Sequence, residues 1–121
     1  TLDAGPLIQL DRGRRQVIAL LALATERGGI ITIPGSALAQ AIRDPARQAR
    51  LARLVRQPRT YVVPLDKVDA TNVGRLLAAS GTSDIADAHV VVCGRRARQT
   101  IVTSDPDDLR ALDPSIDLIT V

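Results

Sequence analysis

Short apolar runs alternate along this chain with longer segments in which apolar residues recur every three or four positions. The runs at 30–33, 60–63 and 100–103 are rich in Val, Ile and Thr, which predicts strands. The run at 30–33 is continuously β-branched, as expected for a strand that is covered on both faces. Because helices and strands alternate, we expect an α/β fold: a mainly parallel sheet with helices on both faces, in three α/β/α layers.

The other predicted elements complete this alternation. Residues 1–3 are predicted to end a first strand, and residues 116–121 to form a last edge strand. Ser36 is predicted to cap the helix after the second strand, and Thr82 or Ser83 the helix that opens on Asp84. Gly81 is predicted to end the helix before it. The remaining helices are predicted over 7–10, 14–27, 36–43, 45–57, 66–79 and 105–112.

Composition and charge fit one domain over residues 1–121 whose first strand looks clipped. The chain has 121 residues and is 45% hydrophobic, which suffices for a core. Tyr61 is the only aromatic residue, so the chain lacks the base-stacking side chains of many single-strand binders. The net charge is +3, and the basic residues are nearly all arginines, which suit contacts with a phosphate backbone.

Several functional classes have no signal in this sequence. Cys93 is the single cysteine, so no internal disulfide forms, and a reducing compartment is expected. We find no apolar run of membrane-spanning length and no signal peptide, which predicts a cytoplasmic protein without membrane contact. Cys93 and His89 have no zinc-site spacing and are predicted to lie in the core. Phosphate-loop, dinucleotide and serine or cysteine nucleophile motifs are absent.

Four aspartates are candidates for chemistry. Asp84 and Asp87 lie three residues apart and therefore share one face of a helix. Asp3 and Asp105 follow strands, at the edge where open α/β sheets bind ligands. Clustered carboxylates repel one another unless a cation holds them, and Mg²⁺ prefers such oxygen ligands. The sequence therefore predicts a divalent-metal site that acts on a phosphodiester.

Each of these aspartates also has a structural interpretation. Asp105 precedes Pro106 and could cap the next helix, with Asp108 as its capping-box partner. Asp84 lies in a first helical turn, where the helix dipole favours an anion. Taken singly, each aspartate fits a cap better than a metal ligand. Together with Asp3 at another strand end, the set favours the metal site.

Arginines form three clusters, and the middle one is the densest. Residues 43–59 contain six arginines and one aspartate. A solvated helical face is the default interpretation, but this density favours contact with RNA or an acidic partner. The candidates for contacts with an RNA backbone are Arg43, Arg47 and Arg50.

Four motifs in order resemble a known family. LDAGPLI, IPGSALAQAIRD, DIADAHVVV and IVTSDPDDL are similar to the successive signatures of PIN domains, most closely those of VapC-type toxins of bacterial toxin–antitoxin pairs. The resemblance spans essentially the whole chain. It implies an endoribonuclease dependent on Mg²⁺ or Mn²⁺, usually a homodimer, that a VapB-type antitoxin holds inactive.

The resemblance also implies roles for individual residues. PIN domains use four acids, and Asp3 matches the first, Asp87 the third and Asp105 the fourth. Asp84 is an additional acid beside them. Thr103 matches a threonine that helps to order the site.

The second acid is where the chain departs from the family. A glutamate is expected in the helix after the second strand, and Gln40 occupies that position. An amide has no charge and cannot act as a base, so we expect weaker metal binding, for which Asp84 could compensate. A PIN-fold module that binds RNA or protein without cleavage is the alternative. A receiver-like signalling domain ranks last, because no lysine lies beyond Lys67.

Overall fold

The computed structural model describes all of residues 1–121. Seven helices and four short strands alternate along the chain, with a single 3-10 turn at Pro45–Arg47. The helices are α1 (Ala4–Asp11), α2 (Arg15–Glu26), α3 (Gly35–Ala41), α4 (Ala49–Val55), α5 (Lys67–Ser80), α6 (Ile85–Ala97) and α7 (Pro106–Leu112). The strands are β1 (Ile31–Pro34), β2 (Thr60–Val63), β3 (Ile101–Thr103) and β4 (Leu118–Thr120).

The N-terminal residues join two pairs of strands into one sheet. β1 pairs with β2, and β3 pairs with β4, both in parallel. Between the two pairs lies the segment 1–3. The N–H of Leu2 donates to the carbonyl of Thr32 at 2.9 Å, and the N–H of Asp3 donates to the carbonyl of Val102 at 3.0 Å. The order across the sheet is therefore β2, β1, segment 1–3, β3, β4, and Asp3 leaves it at the centre.

Burial follows the sequence pattern. All four residues of β1 and all three of β3 are buried, as their unbroken apolar and β-branched runs predict. β2 and β4 expose side chains because each lies at an edge of the sheet. Helix α6 buries seven of its thirteen residues, all between Ala86 and Gly94, and packs against α3, α5, α7 and β1. The core is therefore aliphatic, and α6 is its most buried helix.

Helix ends differ from the sequence predictions at three caps. Ser36 does not cap α3: Pro34 holds the N-cap position, and Ser36 lies inside the helix. Asp84, rather than Thr82 or Ser83, caps α6, because its carboxylate accepts from the N–H of Asp87 at 2.9 Å. Helix α1 begins at Ala4, earlier than residue 7, because the side chain of Asp3 accepts the N–H of Ala4.

Gly81 ends α5 as predicted, in the left-handed conformation that favours glycine, with a φ of 70°. None of the helices has both the length and the apolar character that crossing a lipid bilayer requires.

Candidate active site

Asp3 is buried at the centre of the sheet edge and is held by two hydrogen bonds. Its Oδ1 accepts from the N–H of Ala4 at 2.8 Å, and its Oδ2 accepts from the hydroxyl of Thr103 at 2.7 Å. Thr103 is itself inaccessible to solvent, and its Oγ1 accepts from the N–H of Asp105 at 3.0 Å. One threonine hydroxyl therefore fixes both the first carboxylate and the backbone that carries the last one.

A close approach of two backbones supports this arrangement. Gly5, in the first turn of α1, lies against Ser104, and a Cβ on Gly5 would come within 2.8 Å of the Ser104 Cβ. Gln9, one turn further along α1, donates to the Ser104 hydroxyl at 2.8 Å. The glycine of the LDAGPLI motif thus allows α1 to pack on the loop between Thr103 and Asp105.

Asp105 stands at the N-cap position of α7, but its carboxylate caps no N–H group. The capping box with Asp108 does not form, and the Asp105 side chain is exposed and free to bind a ligand. Asp84 does cap α6, so the structural role that its position in the first turn suggested is present. A carboxylate has two oxygens, however, and only Oδ1 of Asp84 accepts the cap hydrogen bond.

Electrostatics shows that the acids are neighbours. Burial, and next the charges of Asp84 and Asp3, raise the pKa of Asp87 to about 7, with smaller contributions from Asp108 and Asp105. Burial also raises the pKa of Asp3, against the hydrogen bonds from Thr103 and Ala4, and the charges of Asp105 and Asp84 raise it further. Asp3, Asp84, Asp87, Asp105 and Asp108 therefore form one acidic cluster.

No basic side chain neutralises this acidic cluster. None of the ion pairs of the chain includes a member of the cluster; the nearest in sequence is a 3.9 Å contact between Asp107 and Arg110 on α7. No three carboxylates of the cluster have oxygens within 4.8 Å of one another, so it is an open site. Such spacing suits Mg²⁺ or Mn²⁺, since Mg²⁺ binds one or two carboxylates directly and retains several waters. The donor set consists of hard oxygens, which fits these cations.

Gln40 is an exposed residue near the end of α3, and its side chain makes no hydrogen bond within the chain. It is therefore neither built into the core nor linked to the carboxylates. Its position on the helix after β1 is the one that the sequence motif assigns to it.

The candidate arginines are exposed, and each has a partner within the chain. Arg43 donates to the carbonyls of Ala39 and Ile42 at the end of α3. Arg47 lies 3.5 Å from the carboxylate of Asp44, and Arg50 donates weakly, at 3.4 Å, to the carbonyl of Asp11. Such exposed contacts contribute little to stability, so they leave these arginines available to another ligand.

His89 belongs to a buried polar network that the sequence did not predict. Its Nε2 lies 2.9 Å from Oδ2 of Asp69, and its Nδ1 is hydrogen-bonded to the hydroxyl of Ser36. Arg96 donates to both oxygens of Asp69, at 2.6 and 2.8 Å. His89 and Asp69 are buried, so His89 is a satisfied core residue, as expected.

Asp69, His89 and Cys93 are the one group of three metal-type ligands within 4.8 Å of one another. Two observations argue against a metal there. Arg96 occupies both oxygens of Asp69, and its hydrogen bonds lower the pKa of that carboxyl to about 2. Burial raises the pKa of the Cys93 thiol to about 11, which disfavours the thiolate form that binds metals.

The sequence did contain a signal for this network. His89, Cys93 and Arg96 are spaced by four and three residues, which places all three on one face of α6. Their common partner, Asp69, lies in the first turn of α5, where an acid is usually interpreted as helix-dipole stabilisation. The long-range pairing between the two helices is what the sequence alone does not give.

Sequence comparison finds no matching protein-family model and no matching curated protein. Structural comparison does find a match. A chain in the crystal structure of VapBC2 from Rickettsia felis, bound to a DNA fragment from their promoter, is similar with a TM-score of 0.68. The two chains are 15% identical, and the match covers 99% of this chain and 96% of the other. The PIN-like α/β fold expected from the sequence is therefore confirmed.

Proposed function

We propose that this chain is a VapC-type PIN-domain endoribonuclease that requires Mg²⁺ or Mn²⁺ and hydrolyses RNA phosphodiester bonds. The observation that carries the proposal is the cluster of Asp3, Asp84, Asp87 and Asp105 at one edge of the sheet without a basic partner. The likeness to a chain of VapBC2 supports the same conclusion from the fold.

Asp3, Asp87 and Asp105 are the residues that would hold the cation, with Asp84 assisting. When bound, a divalent cation lowers the pKa of a water and stabilises the charge that develops on the scissile phosphate. Without it, burial and then the charges of neighbouring acids raise the pKa of Asp87 to about 7, which favours its protonated form near neutral pH. A cation would therefore replace a proton at Asp87.

The chain's own residues supply orientation and charge. Thr103 fixes the rotamer of Asp3, and Asp84 fixes the first turn of α6, so that two ligands are held before substrate arrives. The exposed arginines of residues 43–59, among them Arg43, Arg47 and Arg50, would attract the phosphate backbone of RNA. With one tyrosine in the chain, binding would depend on charge rather than on base stacking.

Partners and location follow from the same proposal. VapBC2 is a complex in a structure that also contains promoter DNA, which supports a VapB-type antitoxin as the partner of this chain. The proposed function also includes a homodimer, and it places the protein in the cytoplasm, where its RNA substrate would be found.

The test is cleavage of a labelled RNA by the purified chain with Mn²⁺, with Mg²⁺ and with a chelator. We expect cleavage with either cation and none with the chelator. Asp3→Asn should abolish cleavage while the far-ultraviolet circular dichroism stays unchanged. Cleavage by this variant at the wild-type rate would refute the proposal.

One observation favours a second candidate function. Gln40 stands where the four-acid pattern has a carboxylate, and its side chain is exposed, so the fold could act as a binding module without cleavage. The two functions differ in their response to Mn²⁺. A binding module with a lost metal site shows no Mn²⁺-dependent rise in Tm, whereas the nuclease does.

A further inference from the structure

Helices α5, α6 and α7 border a groove that the proposed function does not use. Its volume is about 700 Å³, which lies within the range of sites for small organic ligands. Half of the residues that line it are hydrophobic, and none is Asp or Glu. Three of them are arginines: Arg75, Arg95 and Arg96. The groove therefore combines an apolar floor with positively charged walls.

Two of these arginines are held in place by buried carboxylates. Arg96 donates to both oxygens of Asp69, at 2.6 and 2.8 Å, and Nε of Arg95 donates to Oδ2 of Asp113 at 2.8 Å. Both side chains are about half exposed, at 50% for Arg95 and 51% for Arg96. The bond of Arg95 uses only Nε, so the four N–H groups on its terminal nitrogens remain available to an anion.

Helix α5 adds two polar side chains that have no partner within the chain. Arg75 is exposed and takes part in no ion pair, and the amide of Asn72, which is partly buried, makes no hydrogen bond within the chain. The two residues are three apart, so they project from the same face of α5, together with Leu76. The bracing of the helices accounts for Arg95 and Arg96, but it does not account for Arg75 and Asn72.

The chemistry of the lining selects a class of ligand. Guanidinium groups bind phosphates through paired N–H donors, and they also stack on the flat faces of nucleobases. An inorganic phosphate would leave the apolar floor without a contact, whereas a nucleotide carries both an anionic group and a flat, weakly polar base. An amide such as that of Asn72 offers one acceptor and two donors, which suits the edge of a base.

We propose that this groove binds a free nucleotide. Arg75 and Arg95 bind the phosphate, the base lies on the apolar floor that includes Leu76 and Val92, and Asn72 binds the edge of the base. Leu76 and Val92 are both partly exposed, so each offers surface to a ligand. The assignment goes beyond the proposed function and does not depend on it, because no residue of the acidic cluster lines the groove.

The test is isothermal titration calorimetry of the purified full chain with adenosine 5′-monophosphate in the presence of a chelator. We expect a Kd below about 1 mM for the nucleotide. Adenosine and inorganic phosphate, each of which carries one half of the ligand, should bind at least about tenfold more weakly, because each makes only part of the contacts. Added salt should weaken the binding of the nucleotide, since the guanidinium groups are exposed and screened by ions.

Two variants locate the binding. Arg75→Gln should weaken the affinity for the nucleotide about tenfold or more, because a hydrogen bond to a charged group is lost, while Tm stays unchanged. Arg15→Gln is the matched control, because Arg15 is also exposed, has no ion pair and lies on α2. Ala79→Leu adds bulk inside the groove at an exposed position without a change of charge. It should weaken binding about fivefold or more by occupying the space of the ligand.

Several results would overturn this inference. The absence of binding would do so, as would equal losses in Arg75→Gln and Arg15→Gln, or an affinity for inorganic phosphate as high as for the nucleotide. A deoxyadenylate pentamer that binds more than about tenfold more tightly than the mononucleotide, and depends on Arg75, would assign the groove to a nucleic-acid chain instead.

The proposed function is tested separately. Under it, Arg75→Gln should cut RNA at the wild-type rate. A wild type that cuts no RNA would refute the proposed function and leave the result of the nucleotide titration in place.

Discussion

The hydroxyl of Thr103 donates to Oδ2 of Asp3 at 2.7 Å, although the two residues are 100 positions apart in the chain. Oγ1 of Thr103 also accepts a hydrogen bond from the N–H of Asp105. Thr103 therefore connects Asp3 to Asp105, the acids that match the first and the fourth of the PIN pattern, and sets their relative position. Both Thr103 and Asp3 are buried, so water cannot replace this hydrogen bond.

Thr103→Val should disrupt the site more than its small change in shape suggests. The variant leaves a buried carboxylate oxygen and the N–H of Asp105 without their partner, which we expect to cost about 1–3 kcal/mol of unfolding free energy. Loss of the fixed Asp3 rotamer should lower kcat roughly 10–100-fold. Urea denaturation and RNA cleavage measure the two effects. Thr103→Ser, which keeps the hydroxyl, is the control, and equal losses in both variants would contradict this role.

Asp105→Asn should abolish metal-dependent cleavage without loss of stability. The Asp105 side chain makes no cap hydrogen bond, and its charge lies among like charges, so neutralising it should leave Tm unchanged or raise it in the presence of a chelator. Asp107→Asn is the matched control, because Asp107 is exposed, two residues away, and outside the acidic cluster. Retained cleavage in Asp105→Asn would exclude it as a ligand.

The acidic cluster should make stability fall as pH rises. Asp87 has a folded pKa of about 7, above its ordinary value of 3.8, and the pKa of Asp3 shifts in the same direction. The folded state therefore holds protons that the unfolded state has already lost, and stability declines between about pH 4 and 7 before it levels off. Thermal denaturation with a chelator should show this decline.

Asp87→Asn should remove most of the decline, and saturating Mn²⁺ should flatten it in the wild type, because the cation binds only the folded cluster. The lowered pKa values of Asp69 and Asp113 act in the opposite direction, and only below about pH 4, so they do not obscure the effect. A Tm that is constant from pH 4 to 7 in chelator would contradict the interaction among these acids.

Gln40→Glu should restore the fourth carboxylate of the PIN pattern. We expect Mn²⁺ affinity to rise by roughly tenfold, because the charge count of an oxygen-ligand site tunes its affinity. In chelator the added negative charge should lower Tm, and in Mn²⁺ it should raise Tm. A substitution that adds no charge should not produce these opposite effects. Gln40→Ala is the control. If Gln40→Glu leaves the response to Mn²⁺ unchanged, residue 40 does not belong to the site.

Arg96→Gln should be among the most destabilising substitutions on the surface of α6. Asp69 is 1% exposed and would lose both charged hydrogen bonds while keeping only that of His89. Removing one partner of a buried ion pair should cost roughly 3 kcal/mol of unfolding free energy, which urea denaturation would measure. Arg75→Gln on α5 is the control, because Arg75 is exposed and has no ion pair. A loss below about 0.5 kcal/mol would show that Asp69 is satisfied without Arg96.

Local signals in the sequence predict most of this fold, and long-range pairing accounts for the rest. The β-branched runs mark β1, β2 and β3, because strands of this kind are short, apolar and bounded by turn residues. The caps were harder to predict. Ser36 is a residue type that often caps helices, but its hydroxyl is hydrogen-bonded to His89 on another helix instead. Tertiary contacts of this kind override local propensity.

The sequence indicated the acids of the candidate site, but not the buried hydrogen bonds between the helices around it. Asp3, Asp87 and Asp105 follow strands or share a helical face, so topology alone brings them together. The link from Asp69 to His89 joins residues 20 positions apart on two helices, and no periodicity encodes it. Which of these residues bind metal remains a prediction.

The segment 1–3 lies between β1, which is made soon after it, and β3, which is made much later in synthesis. Its partner Thr32 leaves the ribosome early, but its other partner, Val102, is among the last twenty residues of the chain. During vectorial translation the first acid must therefore wait for the last one, since a distant contact forms only when both ends are available. We expect nascent chains that end before residue 101 to lack the assembled acidic cluster. Under the proposed function, a nascent chain would therefore be unable to cut RNA until β3 has been made.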